Sequence, residues 1–461
     1  MKNLKSFLFC LSAIVLIVSC QNKEDSLPQV ANSSNEAVNN WVLDVMDEVY
    51  LWLDNLGTPI AKNSDPEDYF ESLLFRPTDL ISVIVSDFQE LMNSLNGVNL
   101  EAGYEFNLFR EDQTSNNVIA EITYVKENSP AANVNLKRGD IITKINGTQI
   151  TVDNFRDLLN QIESTHTLTF LRFNEESGFF AEQPQVSLTA VQLAENPNFL
   201  DTIYTINNEK IGYVVYHFFA PGPGENSTAY DDEMDAIFGE FRAENIDHLI
   251  VDFRYNGGGF VSSAVNLASL IAPGVEPANV FSKTKYNSFL MDNVAQLRNV
   301  QTNFRPKVQN LGNTLKGNRV YILTSSRTAS ASELIINGLK PYMDVFIIGD
   351  KTTGKNVGSV PFEDEENPEN KYGILPIISQ SFNSLDQSDY TTGFIPNITA
   401  RESQERLRPL GDVNELLLRT AISQITGTPS GARFQQLDRK DIGSTLERKV
   451  RNGVMIEPKI F

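Results

Sequence analysis

The apolar positions near the start of the chain repeat with the period of an α-helix. Val38, Trp41, Val42, Val45, Val49 and Trp52 share one helical face, and Asp65-Pro66 carries the start signal of a second helix. An aromatic stripe at this spacing is typical of core packing, so we assign it no chemistry. The pattern predicts a small helical N-terminal module over residues 37–98.

A second pattern, short apolar runs separated by turn residues, begins near residue 100. Residues 118–125 and 141–145 have the length and the β-branched content of strands. Helical spacing returns briefly after Phe155. The pattern predicts a β-rich domain over residues 99–175.

Strands and helices then alternate along the longest part of the chain. The predicted strands cover 211–218, 248–253, 320–324 and 345–348, and the predicted helices cover 234–241, 264–271 and 332–339. This alternation is typical of a layered α/β domain with a largely parallel sheet. We expect that domain over residues 201–427, a connector over 176–200 before it, and a loosely attached C-terminal tail over 428–461.

The first residues have the pattern of an export signal. Lys2 and Lys5 precede an apolar run over residues 7–18, which is too short to cross a bilayer as a permanent helix. We therefore assign residues 1–19 to a signal peptide.

The end of that run, Ile17-Val18-Ser19-Cys20, resembles the lipobox of bacterial lipoproteins. The resemblance implies that Cys20 becomes the lipidated first residue of the mature protein. Residues 20–36 would form a polar tether, and the protein would lie in the cell envelope of a bacterium, held to a membrane through its lipid anchor only. A plain cleaved signal peptide with an incidental cysteine is the alternative.

Charge and composition narrow the possible chemistry. The 461-residue chain has 38 basic and 59 acidic residues and a net charge of −21, so we expect no nucleic-acid partner. Its three histidines are scattered singly, and its two cysteines, Cys10 and Cys20, both lie near the start. A zinc hydrolase would lack its clustered ligands, and a thiol enzyme would lack its cysteine nucleophile. We therefore expect no metal and no cofactor.

Two segments of the α/β domain carry the candidate chemistry, and each follows a predicted strand. They are TASASE at residues 328–333 and GDKTTGK at residues 349–355. Loops that leave the carboxyl ends of parallel strands share one edge of the sheet. We therefore expect Ser330 and Lys355 to be neighbours.

Ser330 precedes a predicted helix, where two roles are open. As an N-cap, its hydroxyl would accept hydrogen bonds from the first free backbone amides. As a nucleophile, it would use the Ala331 amide and the positive helix end to stabilise an oxyanion. Lys355 could be its base only when neutral, which requires a pKa about three units below the reference of about 10.4, hence a buried, apolar environment.

The β-rich domain contains a longer match. The sequence SPAANVNLKRGDIITKINGTQI, at residues 129–150, resembles the core of PDZ domains, which bind a peptide C-terminus by strand addition beside a tight loop. The resemblance implies that the peptide-binding loop and strand are formed by Ala102, Gly103, Tyr104 and Phe106. Glu101 stands where such loops usually have a glycine. A PDZ fold that serves only as a spacer or regulatory lid stays open.

A third motif, DFRYNGGG at residues 252–259, lies upstream of TASASE, and the lysine of TTGK follows Ser330 by 25 residues. Together with the order of lipoprotein signal, helical module and PDZ-like domain, these motifs resemble the C-terminal processing (tail-specific) serine proteases. The resemblance implies a crotonase-like layered α/β protease core, with Ser330 as nucleophile and Lys355 as general base. It also implies that the amides of Gly258 and Ala331 are the oxyanion donors.

One position departs from that family's pattern. Many members carry a glutamine four residues after the lysine, where this chain has Ser359. Because serine has a shorter reach, Ser359 as a third catalytic residue is a hypothesis. Glu333 could also help to position the site, or it could serve only the helix dipole.

Residues 349–355 also fit GxxxxGK, the pattern of a phosphate-binding loop. Position 356 is Asn rather than the Ser or Thr that ligates magnesium, and residues 357–362 do not have the pattern of a helix. Without a helix N-terminus the anion site loses its main donors, so we reject nucleotide binding.

The sequence leads to an exported serine endopeptidase that cleaves polypeptides by a Ser–Lys dyad through an acyl-enzyme, with PDZ-mediated recognition of substrate C-terminal tails. Polypeptide substrates are the expected partners, and no particular oligomeric state is predicted. Two alternatives stay open. One is a non-cleaving peptide-binding scaffold, which the missing glutamine keeps open, and the other is an acyl-transfer or acyl-binding protein on the crotonase-like core.

Overall fold

The computed structural model describes residues 34–112, 114–428 and 439–458. The predicted signal peptide, most of the predicted tether and the lipidation site Cys20 lie outside these residues. In the described part of the chain, no helix combines the length and the apolar run needed to cross a bilayer.

The N-terminal module contains the two predicted helices and a strand that joins it to the α/β domain. Its elements are α1 (Asn35–Val49), α2 (Pro66–Leu73), β1 (Val83–Val85), α3 (Phe88–Leu95) and β2 (Val98–Glu101). Asp65 caps α2 by accepting a hydrogen bond from the Glu67 amide, as the start signal predicted. β1 pairs antiparallel with residues 373–375, so the module is attached through backbone hydrogen bonds.

The β-rich domain follows. Its elements are β3 (Tyr104–Arg110), β4 (Val118–Val125), α4 (Pro130–Asn133), β5 (Ile141–Ile145), β6 (Thr148–Gln149), α5 (Phe155–Gln161), β7 (His166–Asn174), β8 (Phe179–Glu182) and β9 (Val186–Leu188). β4 and β5 have the predicted bounds. Phe106, Ile122 and Leu158 join one buried cluster that holds α5 against the sheet.

The predicted connector over residues 176–200 is built largely of strands. β8 and β9 continue the sheet of the β-rich domain by pairing with β7. β10 (Val191–Ala194) pairs with β2, and β11 (Asn198–Ile206) forms an edge of the next sheet. These strands are short or partly exposed, so their apolar pattern is weak in the sequence.

The α/β domain has the predicted layered architecture. Its elements are β12 (Glu209–Tyr216), α6 (Ala229–Ala243), β13 (His248–Asp252), β14 (Gly259–Phe260), α7 (Val261–Ile271), β15 (Val280–Tyr286), α8 (Ser288–Asn293), β16 (Val300–Asn303), β17 (Arg319–Thr324), α9 (Ala331–Leu339), β18 (Asp344–Gly349), β19 (Val357–Ser359), β20 (Phe362–Glu363), β21 (Gly373–Leu375), β22 (Ile377–Asn383), β23 (Ile398–Thr399) and α10 (Leu416–Thr426). The main sheet has the order β11-β12-β13-β17-β18-β23 and is parallel from β12 onward.

The central strands of the main sheet, β12, β13 and β17, are largely buried on both faces, which explains their continuous apolar runs. Along β12, Val214 and Tyr216 enter the core beneath α6, α7 and α9. The alternate residues Ile211, Tyr213 and Val215 enter the core beneath α10. This alternation follows from the two-residue period of a strand.

The C-terminal segment, residues 439–458, is not the loose tail that the sequence predicted over 428–461. It contains β24 (Asp441–Ser444) and β25 (Met455–Ile456). β24 pairs with β3, and β25 lies between β14 and β19 in a second sheet of order β14-β25-β19-β22-β15-β16. That prediction was wrong for these residues because two such short strands leave almost no periodic signal, and both pair with residues distant in sequence.

Buried ion pairs connect the β-rich domain to the α/β domain. Arg138, from the turn before β5, pairs with Glu402. Arg254, which is 1% exposed, also pairs with Glu402 and with Asp252 and Glu415. Glu402 therefore bridges two arginines, and this bridge fixes the turn of the β-rich domain beside the loop that follows β13.

Candidate active site

Ser330 lies in the sharp turn between β17 and α9. Its backbone has φ 60° and ψ −115°, a conformation that is strained for any residue other than glycine. Its side chain is fully buried, and its Oγ has no hydrogen-bond partner among the described residues. An N-cap serine has an extended backbone and a hydroxyl bonded to the helix, so this geometry favours the nucleophile over the N-cap role.

Glu333 accepts four hydrogen bonds at the start of α9. Its Oε2 accepts from the amides of Ser330 at 2.9 Å and Lys355 at 2.7 Å. Its Oε1 accepts from the Gly354 amide at 2.7 Å and the Thr352 hydroxyl at 2.6 Å. Burial raises the pKa of Glu333, and these four donors oppose the rise. One carboxylate therefore joins the backbones of both predicted catalytic residues.

Lys355 reaches the same edge of the sheet from β18. β17 and β18 are parallel neighbours, with Thr324 opposite Gly349, so the loops that follow them leave side by side. Desolvation lowers the pKa of Lys355, and attraction to Glu333 and to Asp79 opposes the shift. A lowered pKa is the direction that a lysine general base requires.

The glycine run and the C-terminal segment lie side by side at the site. The Gly453 amide donates to the Gly257 carbonyl at 2.7 Å, and the Gly259 amide donates to the Val454 carbonyl at 2.7 Å. Residues from two distant parts of the chain therefore form one wall of the site.

Each predicted catalytic side chain lies against that wall. A methyl group placed on Gly258, where φ is +120°, would lie 3.2 Å from Ser330 Oγ. A methyl group placed on Gly453, where φ is +75°, would lie 2.2 Å from Lys355 Nζ. Both glycines are therefore required for close approach as well as for their backbone conformation.

The structure brings Ser330 and Lys355 to one site without joining them by a hydrogen bond. Within residues 34–112, 114–428 and 439–458, no donor or acceptor contacts Ser330 Oγ at hydrogen-bond distance. Catalytic hydrogen bonds are often long in unliganded proteins and tighten when substrate binds. A Ser–Lys dyad in direct contact therefore stays a prediction.

The two predicted oxyanion donors, the amides of Ala331 and Gly258, differ in the hydrogen bonds they make in this structure. Ala331 is the first residue of α9, where a backbone amide has no acceptor within the helix. The Gly258 amide donates to Asn256 Oδ1 at 3.0 Å. Ala331 is thus placed for the role, whereas Gly258 must first exchange its bond with Asn256, and both assignments stay predictions.

Ser359, the predicted third position, is buried at the end of β19. Its carbonyl accepts a hydrogen bond from the Glu457 amide at 2.9 Å. None of the hydrogen bonds in the described residues joins its side chain to Lys355. Lys355 is held instead by Glu333, through its amide, and by packing on Gly453.

The predicted peptide-binding residues lie together where β3 begins. Ala102, Gly103, Tyr104 and Phe106 are all buried. The Tyr104 hydroxyl is 2.9 Å from His166 Nε2, and the Phe106 amide donates to Thr445 Oγ1 at 3.0 Å. The C-terminal segment therefore already contacts one of the predicted positions.

Sequence reasoning missed Gly453 and the strand that follows it. The signal that could have found them is Asn452-Gly453, a turn dipeptide, directly before the apolar run Val454-Met455-Ile456. An apolar run after a turn inside a polar tail indicates a strand that pairs elsewhere.

The chain matches three family profiles along its length. Residues 37–82 match the Peptidase S41 N-terminal domain, residues 121–172 match a PDZ domain, and residues 210–399 match Peptidase family S41. The matched residues fall in the helical module, the β-rich domain and the α/β domain, in the predicted order.

Curated relatives share about half of the chain. A Staphylococcus aureus protein (strain bovine RF122 / ET3-1), with the assigned name CtpA-like serine protease, is 23% identical over 240 residues, 51% of this chain and 42% of the relative. A Staphylococcus saprophyticus protein with the same assigned name is 22% identical over 251 residues, 53% of this chain and 44% of the relative. The match therefore spans less than half the length of these relatives.

A solved structure matches most of the chain. It is assigned as an S41 protease of Bacteroides fragilis NCTC 9343 and has a TM-score of 0.70 and 27% sequence identity, covering 88% of this chain and 99% of that chain. This likeness confirms the predicted multidomain α/β fold.

Proposed function

The chain belongs to peptidase family S41, and from that membership we propose that it is an exported serine endopeptidase in which Ser330 is the nucleophile and Lys355 the general base. One observation carries this proposal. Ser330 has a strained backbone and a buried hydroxyl without a hydrogen-bond partner among the described residues, and Glu333 joins its amide to that of a lysine whose pKa is lowered by burial.

In the proposed reaction, Ser330 Oγ attacks the scissile carbonyl carbon while the neutral Lys355 amine takes the hydroxyl proton. The negative charge on the former carbonyl oxygen is stabilised by the Ala331 amide and the positive end of α9. Collapse of the intermediate breaks the C–N bond, and Lys355 returns the proton to the leaving amine. Water, deprotonated by Lys355, then hydrolyses the acyl-enzyme.

We assign substrate recognition to the PDZ domain, whose groove lies between β3 and α5. Its match to PDZ domains supports the capture of polypeptide tails by strand addition. Export and lipid anchoring in the bacterial cell envelope rest on the lipobox-like sequence that ends at Cys20.

A non-cleaving scaffold is the second candidate. Two observations favour it: Ser330 Oγ is not hydrogen-bonded to Lys355 among the described residues, and Ser359 stands where many family members carry glutamine. Such a protein would bind polypeptides and leave them intact.

Covalent labelling tests the assignment of the nucleophile. A fluorophosphonate probe is expected to form an adduct on Ser330, located by mass spectrometry, and the unlabelled protein is expected to cleave casein, an unstructured protein. Ser330→Ala removes both signals. Ser332→Ala is the matched control, because Ser332 is equally buried and its hydroxyl donates to the Asn256 carbonyl at 3.1 Å.

Two outcomes contradict the proposal. Casein cleavage that survives Ser330→Ala places the nucleophile elsewhere. Binding of casein by the wild-type protein without adduct or cleavage supports the scaffold.

Gly453→Ala is expected to lower kcat/KM for casein about 100-fold, because the new methyl group pushes the Lys355 amine from its place. A displacement of about 1 Å in a catalytic group costs about this factor. The atom that must move ends a flexible side chain, so the fold adjusts. The positive φ adds a strain of about 1–2 kcal/mol.

Gly427→Ala is the matched control for that variant. Gly427 has φ +68° and no neighbour within 4 Å of the added methyl group, so it carries the same backbone strain without touching the site. Equal kcat/KM for the two variants would show that Gly453 does not position the lysine.

A further inference from the structure

The edge of the PDZ sheet that receives ligands is occupied by the chain itself. β24 pairs antiparallel with β3. The paired residues are Asp441 with Phe109, Gly443 with Leu108 and Ser444 with Asn107. A PDZ ligand adds an extended strand to an exposed sheet edge. β24 therefore occupies the place of a ligand strand.

The residues that follow β24 contact α5, the other wall of the groove. Arg448 donates to Asn160 Oδ1 at 2.7 Å and pairs with Glu163 at 3.3 Å. Ile442 packs against the hydrophobic core of the PDZ domain. β24 thus lies along β3 and against the PDZ core, and the chain that leaves it reaches α5.

We propose that residues 439–445 are an internal ligand of the PDZ groove, which an incoming polypeptide must displace. The inference rests on the proposed function for the identity of that polypeptide as substrate. It does not depend on cleavage, because the contacts that carry it lie in the PDZ domain.

The later part of the C-terminal segment is fixed in place by buried charges. Lys449 pairs with Glu101 and Glu105, and Arg451 pairs with Glu195. Removing these two cations would leave the three carboxylates with Lys126 as their remaining ion-pair partner, which is strongly destabilising for buried charges. These contacts hold the chain from Lys449 onward in place, beyond the exchangeable residues 439–445.

The earlier part has fewer and more exposed contacts. Asp441 is exposed, and Ile442 and Gly443 are partly exposed. The Arg439–Glu121 pair, at 2.5 Å, is its buried charged contact, and the Arg439 guanidinium lies 5.6 Å from the Phe109 ring. Asp441 also pairs with Arg327 at the surface, and the hydroxyls of Ser444 and Thr445 are hydrogen-bonded to the Phe106 backbone. Because only one of these ion pairs is buried, we expect this strand to exchange at lower cost than the charged segment after it.

These contacts define the chemistry of the displacing partner. Glu121 is buried, so an incoming strand must supply a cation in place of Arg439. It must also supply an apolar side chain three residues later, in place of Ile442. The partner is therefore an extended polypeptide with an arginine or lysine three residues before an apolar residue. The acidic protein attracts such basic segments.

A cavity at the loop end of the groove offers the incoming strand its first contact. Its volume is about 240 Å³, and its lining includes Ala102, Tyr104, Leu159 and Thr445. Binding there places a peptide at the end of β24, from where it can replace that strand.

The test measures binding without cleavage, in a chain that carries Ser330→Ala and in which Cys10 and Cys20 are replaced by serine. The probe is a fluorescein-labelled peptide of sequence RKDIGST, which is residues 439–445. In this background Asn107→Cys and Ser444→Cys introduce the only two thiols, at positions directly opposite in the strand pair. Opposite residues of antiparallel strands lie within the reach of a disulfide.

Oxidation is expected to lock β24 in the groove and to weaken probe binding at least about tenfold relative to the reduced protein, since a tethered ligand competes at millimolar effective concentration. Equal affinity in the two states overturns the inference. Failure of the disulfide to form under oxidant, checked by non-reducing peptide mapping, overturns the strand placement on which the inference rests.

A second variant opens the groove instead. Ile442→Asp, in the same Ser330→Ala chain, is expected to strengthen probe binding at least about tenfold. Ile395→Asp is the matched control, because Ile395 is 79% exposed in the α/β domain. A probe with glutamate in place of its arginine is expected to bind at least about tenfold more weakly. Unchanged affinity with Ile442→Asp, or no binding to any form, overturns the inference.

The result is independent of the protease assignment. Absence of casein cleavage by the wild-type protein would overturn the proposed function. It would not change the peptide affinities that test the internal ligand.

Discussion

Lys355→Met is expected to lower kcat/KM for casein about 10⁴-fold while the protein stays folded, because the variant removes the proposed base for the Ser330 proton. Burial already lowers the pKa of Lys355, so an apolar side chain of similar length suits the same surroundings. Lys351→Met is the matched control, since Lys351 is exposed in the same loop and should keep full activity. The measurements are casein cleavage rates and the thermal midpoint.

The dependence of kcat/KM on pH tests whether Lys355 acts as a neutral amine. Only the neutral amine accepts a proton, so kcat/KM should rise with pH through the pKa of Lys355 and then level off. Because that pKa lies below the ordinary lysine value, the rise is complete at lower pH than for an exposed lysine. The unfolded chain binds the proton more tightly, so stability also rises with pH across the interval between the two pKa values. Lys355→Met removes both dependences.

Lys355→Arg separates the base from a merely positive group. A guanidinium stays charged at every accessible pH and cannot accept the serine proton, so this variant should be as inactive as Lys355→Met. Substantial activity in Lys355→Arg would show that the base lies elsewhere and that the lysine acts through its charge.

Glu333→Ala is expected to destabilise the protein by at least about 3 kcal/mol, because it leaves the donors of Ser330, Thr352, Gly354 and Lys355 without their acceptor. The milder variant Glu333→Gln keeps the shape of the side chain. Its NH₂ group, however, is a donor and would face groups that are themselves donors. It is expected to lower kcat about 100-fold with little change in KM, since it disturbs the site and not the PDZ groove.

The rate of fluorophosphonate labelling of Ser330 distinguishes a positioning role of Glu333 from a purely structural one. A serine that has lost its alignment labels slowly at temperatures where Glu333→Gln remains folded. Glu36→Gln is the control, because Glu36 is also a first-turn acid but is exposed on α1, and its effect should stay within about 0.5 kcal/mol. A normal labelling rate in Glu333→Gln, together with a lowered thermal midpoint, would restrict Glu333 to a structural role.

Much of the fold was predictable because its main elements carry their own periodic signals. β4 and β5 have the predicted bounds, and α9 begins one residue before its predicted start. The two catalytic segments were expected at one sheet edge because each follows a strand of the parallel sheet, and the adjacency of β17 and β18 confirms that expectation. Local pattern is sufficient wherever a strand or helix is long and buried.

What local pattern could not supply is pairing between distant residues. β25 has two residues, and its position between β14 and β19 depends on partners far away in the sequence. The four hydrogen bonds of Glu333 could not be predicted from the sequence either, because two of the donors lie in the loop after β18. A carboxylate in the first turn of a helix has the same local sequence whether it serves the helix dipole or a network of this kind.

The insertion of β25 between β14 and β19 also orders events during synthesis. Ribosomes produce Ser330 and Lys355 well before Gly453, so a nascent chain holds the proposed nucleophile and base while one wall of their site is still untranslated. The hydrolytic machinery is completed only when the strand at Met455–Ile456 docks. For the proposed protease, this order would delay hydrolysis until translation has passed that strand.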